Sequence, residues 1–241
     1  MSDMQTVPCG PLMNNLVINQ PFGLGDIIFL QGLVEKLRQN NNIIFPVADE
    51  YYWIQDYLGR ENVQFPRRSQ YPINYEDASM REDYLPLRFS TQVLRGLAPH
   101  DYSHDHTVME DKYTLMKEDC SIWRDFPIKR NLEKEHQLIA DLGLDEEGYT
   151  FINEMYGSEA VGSGSIKIPK KGKTVTLFRK KGYTLFDWLG VLEKCSSYHT
   201  VDTSVVWLID YLNPKGDKVI YSRGKNTQAL QGVISTDWRF V

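Results

Sequence analysis

Apolar residues recur along this chain in two forms, short continuous runs and stripes with helical spacing. Residues 16–18 (LVI) form one such run, and a turn with the sequence GLGD follows at residues 23–26. The next segment carries apolar positions at 3.6-residue spacing: Ile27, Leu30, Val34 and Leu37. This order predicts a buried strand, a glycine-bearing turn and an amphipathic helix. α/β proteins use that arrangement to present backbone N–H groups to an anionic ligand.

The alternation of strands and helices continues through the first half of the chain. Residues 43–47 and 63–65 are predicted to be strands, and residues 51–58 are predicted to be a helix. Residues 66–111 are less regular, with one short strand predicted at Tyr84–Arg88. Strands that alternate with helices at this spacing indicate a parallel sheet.

A helical stretch at residues 112–142 separates the first pattern from a second one. Four more strands are predicted, at residues 149–153, 173–178, 198–201 and 217–222, with a Gly/Ser-rich loop at 157–165. Helices are predicted to begin at Thr184, which Asp187 follows at capping-box spacing, and at residues 202–204. We therefore predict a compact α/β fold of two Rossmann-like halves facing each other across a cleft. The predicted units are residues 1–112, a helical bridge at 113–148, and residues 149–241.

The amino-acid composition indicates which broad class of protein the chain belongs to. Of the 241 residues, 41% are hydrophobic and 24% are charged, which is ordinary for a soluble globular protein. The net charge of −5 provides no basic field, so we expect no nucleic-acid partner. We expect no signal peptide and no transmembrane segment, and a cytoplasmic location. Three cysteines far apart in sequence indicate neither a disulfide framework nor a CxxC metal site.

Each half places an aspartate where a strand is predicted to turn into a helix. These are Asp26 in GLGD and Asp202 in VDTS. Ligands of parallel sheets bind outside the carboxyl ends of the strands, so two facing sheets would suit a nucleotide diphosphate on one side and an acceptor on the other. Helix capping alone also explains Asp26 and residues 202–204. Both interpretations remain open at this point.

Two segments carry a resemblance to a known family. GLGDIIFLQGLVEKL resembles the glycine-aspartate loop and first helix of the GT-B glycosyltransferases of the heptosyltransferase group (glycosyltransferase family 9-like). SYHTVDTSVVWLIDYLN resembles the nucleotide-sugar-binding segment of that group. The resemblance covers residues 15–39 and 196–213, in the same order as in the family.

The resemblance implies a metal-independent, inverting transfer of a sugar from a nucleotide-sugar donor to a glycan or other hydroxyl acceptor, with no cofactor. Asp26 would be the general base, beside an anion or acceptor loop with Gly23 and Gly25. Asp202, Thr203 and Ser204 would hold the donor diphosphate. Basic residues that follow a strand of the second half would pair with the phosphates: Arg179, Lys180 and Lys181.

The chain also departs from the family pattern. The family commonly has a histidine five positions after the second aspartate, where this chain has Trp207, and His199 is the candidate substitute. The chain is also shorter than typical members. These departures motivate an alternative, a non-catalytic module that binds a nucleotide or a glycan. An epimerase or a kinase is a weaker alternative, because Ile28 interrupts a G-x-G-x-x-G fingerprint and no P-loop is present.

A histidine-bearing stretch raises the question of a metal. His100, His104 and His106 are interleaved with Asp101 and Asp105. Pro99 and the polar composition favour a surface loop over a helix that would bring the histidines together, so we predict no metal and keep a zinc site as the alternative.

Overall fold

The computed structural model describes residues 14–19, 23–70, 84–88, 108–158, 162–223 and 230–241. The predicted histidine loop around residues 100–106 lies outside the described residues. No described helix has the length and apolar content needed to cross a bilayer.

The first sheet is parallel throughout, as predicted. Its strands lie in the order β3-β2-β1-β4. They are β1 Asn14–Asn19, β2 Asn41–Ile44, β3 Val63–Gln64 and β4 Tyr84–Arg88. The helices that connect them are α1 Leu24–Phe29, α2 Gln31–Leu37 and α3 Ile54–Leu58, and a 3₁₀ turn at Asp49–Tyr51 precedes α3. The alternation of strands and helices therefore predicted this half closely.

A helical region joins the two sheets. It consists of α4 Val108–Leu115, a 3₁₀ turn at Cys120–Arg124 and α5 Leu132–Asp141. The prediction of helix over residues 112–142 captured this region but not its division into three pieces.

The second sheet is also parallel, with the order β11-β10-β9-β5-β8. Its strands are β5 Tyr149–Asn153, β8 Thr174–Thr176, β9 Cys195–Val201, β10 Asp217–Tyr221 and β11 Trp238–Phe240. Its helices are α6 Leu189–Glu193, after a 3₁₀ turn at Phe186–Trp188, and α7 Ser204–Leu212. Asp187 accepts hydrogen bonds from the Thr184 N–H and hydroxyl, but the N-cap of the 3₁₀ turn is Leu185 and not Thr184, where the helix was predicted to begin. Strand β11 was not predicted.

The Gly/Ser-rich segment was predicted wrongly as a loop. Strands β6 Met155–Ser158 and β7 Gly162–Ser165 form an antiparallel hairpin there. The ladder of main-chain hydrogen bonds does not depend on side-chain identity, so the hairpin forms without the alternating apolar side chains that mark a strand in a sequence.

The helix after GLGD is broken, although one continuous helix was predicted. The Tyr113 hydroxyl donates to the Phe29 carbonyl at 2.6 Å and accepts from the Leu33 N–H at 3.3 Å. These two backbone groups would otherwise bond to each other within a continuous helix. A side chain inserted into the hydrogen-bond ladder therefore divides α1 from α2.

The helices of the two sheets pack against each other in one core. Trp207 of α7 lies 4.8 Å from Phe29 of α1 and 5.1 Å from Trp123, measured between ring centroids. A second contact joins α3 to the 3₁₀ turn before α6, where the Tyr57 hydroxyl donates to buried Asp187 at 2.5 Å. These contacts fix the start of α1 relative to the start of α7.

Candidate functional site

Asp26 does not cap its own helix. The N-cap of α1 is Gly23, and no side chain makes a capping hydrogen bond there. The Asp26 carboxylate instead accepts a hydrogen bond from the ammonium group of Lys112, a fully buried side chain on α4. Asp26 itself is 23% exposed, so it lies at a surface that a ligand can reach. Of the two interpretations of Asp26, capping is therefore wrong.

Gly25 brings the two sheets together. A Cβ added at Gly25 would lie 2.9 Å from Nε1 of Trp207 and 3.5 Å from Cα of Ser204. The absence of a side chain thus lets the start of α1 contact the start of α7. At Gly23 an added Cβ would meet only the Tyr51 hydroxyl, at 4.0 Å, so packing within the described residues does not require glycine there.

The start of α7 also lacks a side-chain cap. Thr203 is the N-cap residue, and its hydroxyl makes no capping bond. It accepts a hydrogen bond from Asn153 at the end of β5, at 2.9 Å, and Asn153 also donates to Thr200 at 3.1 Å. Asn153 therefore holds the loop before α7, while the first N–H groups of the helix receive no side-chain acceptor from Thr203.

Asp202 is a buried carboxylate with a cationic neighbour. One of its oxygens lies 3.5 Å from Nη2 of Arg223, a residue just beyond the carboxyl end of β10. Burial raises the pKa of the Asp202 carboxyl, the Arg223 charge opposes that rise, and the negative charge of Asp26 adds to it. Asp26 and Asp202 therefore lie close enough to influence each other.

The raised pKa predicts how Asp202 affects stability. Its folded-state pKa lies above the unfolded value, so its contribution favours folding at acidic pH and is lost as the pH rises through the folded-state pKa. We expect Asp202→Asn to increase the free energy of unfolding at neutral pH relative to the wild type, and the gain to shrink towards pH 4. Urea denaturation across this range measures it, with Asp217→Asn as an exposed control. A gain that does not depend on pH would contradict the assignment.

The positive charge of Arg179 acts on Tyr51, a residue of the first half of the chain. Burial and the charge of Glu50 raise the pKa of the Tyr51 phenol, whereas the positive charge of Arg179 and the N–H of Leu24 act in the opposite direction. The Tyr51 hydroxyl thus lies at the start of α1, 4.0 Å from a Cβ built at Gly23. The structure brings together Asp26, Gly23, Gly25, Asp202, Thr203 and Ser204, and Arg179 is exposed on the loop after β8, where its charge acts on Tyr51.

Three other predicted donor residues lie apart from these loops or point elsewhere. The ammonium group of Lys180 lies 3.4 Å from a carboxylate oxygen of Asp141 on α5. Lys181 is exposed, with no hydrogen bond or ion pair among the described residues. His199 lies within β9, where Nδ1 is 3.1 Å from the Tyr221 hydroxyl and burial lowers the pKa of the imidazole.

Trp207 has a packing role. It is buried against α1, where the family pattern would place a histidine. Its indole takes up the space beside Gly25, so this position joins the two helices instead of offering a polar group to a ligand.

Sequence reasoning missed three residues of this site: Lys112, Arg223 and the hydroxyl of Tyr51. Arg223 had a usable signal, because a basic residue directly follows a predicted strand at its carboxyl end. Lys112 and Tyr51 had none, since each lies in a segment remote from the loop that it contacts. Among the described residues, no group of three or more His, Cys, Asp or Glu side chains is placed to hold a metal ion.

No protein-family model matches the chain, and no curated protein matches its sequence. Solved structures do resemble it. A glycosyl transferase family 9 structure from Veillonella parvula DSM 2008 aligns with a TM-score of 0.57 and 10% identity, covering 95% of this chain and 85% of that one. Iron-containing, dodecameric heptosyltransferase TibC in complex with ADP-D-β-D-heptose aligns with a TM-score of 0.56 and 12% identity, covering 95% and 63%.

A second TibC structure, from enterotoxigenic E. coli H10407, gives a TM-score of 0.52 and 11% identity, covering 87% of this chain and 58% of that one. The chain thus spans less than two thirds of the TibC chains. At this level of identity the similarity concerns the fold. The resemblance to glycosyltransferase family 9 and heptosyltransferases is confirmed for the fold, a mixed α/β architecture with parallel sheets.

Proposed function

We propose that this chain transfers a sugar from a nucleotide-sugar donor to a hydroxyl acceptor, without a metal ion and with inversion at the anomeric carbon. The contact between the starts of α1 and α7 carries the proposal. Gly25 packs against Ser204, and the charge of Asp26 raises the pKa of Asp202. The Asp26 carboxylate of α1 and the start of α7, which lacks a side-chain cap, therefore lie close together. A reaction between two bound substrates requires such proximity of the groups that act on each.

The donor diphosphate is proposed to bind at the start of α7. The N-terminus of a helix attracts anions, and Thr203 leaves its first N–H groups uncapped. Arg223 is well suited to a phosphate, because its Nε is buried and has no hydrogen-bond partner within the described part of the chain. Arg179 would add a second positive charge from β8. Two such cations would offset the charge of the departing nucleoside diphosphate in the role that a metal ion has elsewhere.

The acceptor is proposed to react at Asp26. The carboxylate would take the proton of the acceptor hydroxyl as that oxygen bonds to the anomeric carbon. The bond between the same carbon and the donor phosphate oxygen breaks, and its electron pair leaves with the nucleoside diphosphate. Attack from the face opposite the leaving group inverts the configuration. In this arrangement residues 1–112 would form the acceptor side and residues 149–241 the donor side of a GT-B-like cleft, bridged by residues 113–148.

A non-catalytic module that binds a nucleotide or glycan is the second candidate. Two observations favour it: Trp207 occupies the position of the family histidine, and the carboxylate of Asp26 is already engaged by Lys112. Such a module would bind a nucleotide diphosphate without turning it over.

A thermal-shift screen with ADP-, GDP-, UDP- and CMP-sugars tests the proposal. We expect at least one donor to raise the melting temperature, and Thr203→Val to reduce that shift because it removes the hydroxyl held by Asn153. Thr150→Val, on the same sheet but away from the loop, serves as the matched control.

Two results would change the conclusion. A panel in which no nucleotide sugar raises the melting temperature would contradict both binding proposals. Binding without release of the nucleoside diphosphate, across a range of sugars and hydroxyl acceptors, would favour the binding module over the enzyme.

A further inference from the structure

Lys112 is the most deeply buried charged group beside the candidate site. Its side chain has no exposed surface, and its ammonium group donates to Oδ1 of Asp26. The sulfur of Met109, one turn earlier on α4, lies 3.6 Å from the same ammonium nitrogen. A lysine in these surroundings loses most of its hydration, so a specific partner must hold its charge.

The backbone that carries Lys112 is anchored to α1 and α2. The neighbouring Tyr113 hydroxyl is inserted between the Phe29 carbonyl and the Leu33 N–H. Its ring packs on Phe29 with centroids 5.0 Å apart. Because α4 is tied to the helix that contains Asp26, the lysine is held at a set position relative to that carboxylate.

The pair is poorly explained by stability alone. Burying two charges costs solvation that their attraction often fails to recover, and a well-packed apolar pair is frequently at least as stable. Here one member, Lys112, is fully buried while the other, Asp26, remains partly open to solvent. The buried lysine therefore pairs with a carboxylate that lies at the contact between α1 and α7.

Asp26 also experiences a like charge. It lies near enough to Asp202 for its own charge to raise the pKa of that carboxyl. Among the described residues, its charged neighbours are Lys112 from α4 and Asp202 from the loop before α7, with Arg223 paired to Asp202. Lys112 therefore places a buried positive charge beside a carboxylate that has a second carboxylate nearby.

We propose that Lys112 is a positioning residue for Asp26: its hydrogen bond to Oδ1 holds the carboxylate in one orientation, with the second oxygen left for the acceptor hydroxyl. This inference rests on the proposed function, because that function makes Asp26 the general base. Lys112 itself touches neither substrate. It acts by keeping the carboxylate of the base in the direction that proton transfer needs.

The test compares Lys112→Met with Lys36→Met, an exposed lysine on α2 that pairs with Glu118. Methionine keeps the approximate length of the side chain and can pack against the neighbouring Met109. The donor is the nucleotide sugar that gives the largest thermal shift, and the readout is release of its nucleoside diphosphate with and without acceptor. We expect kcat to fall on the order of 10- to 100-fold, less than the loss of the base itself, with KM for the donor little changed. Lys36→Met is expected to match the wild type.

A second background separates positioning from a general structural effect. In Asp26→Asn there is no carboxylate to position, so adding Lys112→Met is expected to cause no further loss of kcat. Should Lys112→Met fail to fold, Lys112→Gln removes the charge while keeping a hydrogen-bond donor, and the same comparison is made with it.

The outcomes distinguish the two proposals. Full activity in Lys112→Met and Lys112→Gln, with Asp26→Asn inactive, overturns the positioning role and leaves the transferase intact. A loss that appears in donor KM, or adds fully to that of Asp26→Asn, also overturns it. Full activity in Asp26→Asn, or no turnover by the wild type, overturns both.

Discussion

Replacing Asp26 with Asn is expected to lower the rate of sugar transfer by about 10²–10⁴-fold, the contribution typical of a general base. Asparagine has the same shape but cannot take up the proton of the acceptor hydroxyl. Donor binding is expected to persist, because the proposed diphosphate contacts come from α7, Arg179 and Arg223. The measurement is initial release of nucleoside diphosphate, together with the thermal shift produced by the same donor.

Asp56→Asn is the matched control for this substitution. Asp56 is an exposed acid on α3 of the same half of the chain. Its replacement is expected to leave both rate and binding unchanged. Transfer at the wild-type rate by Asp26→Asn would remove the proposed base from the mechanism, and loss of donor binding would indicate that Asp26 supports the site structurally instead.

Replacing Asp210 with Ala is expected to cost about 1–3 kcal/mol of stability, as the loss of a buried hydrogen-bond partner does. Asp210 is fully buried on α7 and accepts hydrogen bonds from three directions. Arg124 Nε donates to Oδ2 at 3.2 Å, Trp238 Nε1 donates to Oδ1 at 2.9 Å, and the Ser235 N–H donates to Oδ1 at 3.0 Å. Alanine would leave the buried indole N–H of Trp238 without its acceptor, and the partly exposed Arg124 and Ser235 would lose theirs as well.

Urea denaturation of Asp210→Ala measures this loss, with Asp217→Ala as the control. Asp217 is 55% exposed, and its partner Arg239 is 58% exposed, so that pair contributes little. Equal losses for the two variants would show that the Asp210 network does not anchor α7. Because α7 begins at the proposed donor site, a weakened anchor is also expected to reduce the thermal shift produced by the nucleotide sugar.

The elements that the apolar pattern predicted well are those that bury apolar side chains. Strands β1 and β3 and helix α7 were found close to their predicted positions, because the apolar residues that predicted them pack into the core. Strand β4 was also found at its predicted position. The hairpin of β6 and β7 was not predicted, because backbone pairing requires no such apolar pattern. The break between α1 and α2 was not predicted, because its cause, Tyr113, lies about eighty residues away in the chain.

The candidate site divides in the same way. Local order alone pointed to Asp26 and residues 202–204, since each lies where a predicted strand is followed by a predicted helix. The contacts that these side chains make could not be predicted from the sequence. Capping was the natural local interpretation, yet Asp26 binds Lys112, Asp202 pairs with Arg223, and Thr203 accepts from Asn153.

The order of residues by itself therefore determined that this protein is an α/β chain with two parallel sheets and an aspartate at one strand-to-helix turn in each. These features depend on neighbours within a few positions, where periodicity and turn chemistry act. Only the tertiary structure decided that the two turns meet at Gly25 and Ser204, and that a buried lysine stands behind one aspartate. Packing between remote segments sets those contacts, because electrostatic and van der Waals forces depend on distance in space and not on separation along the chain.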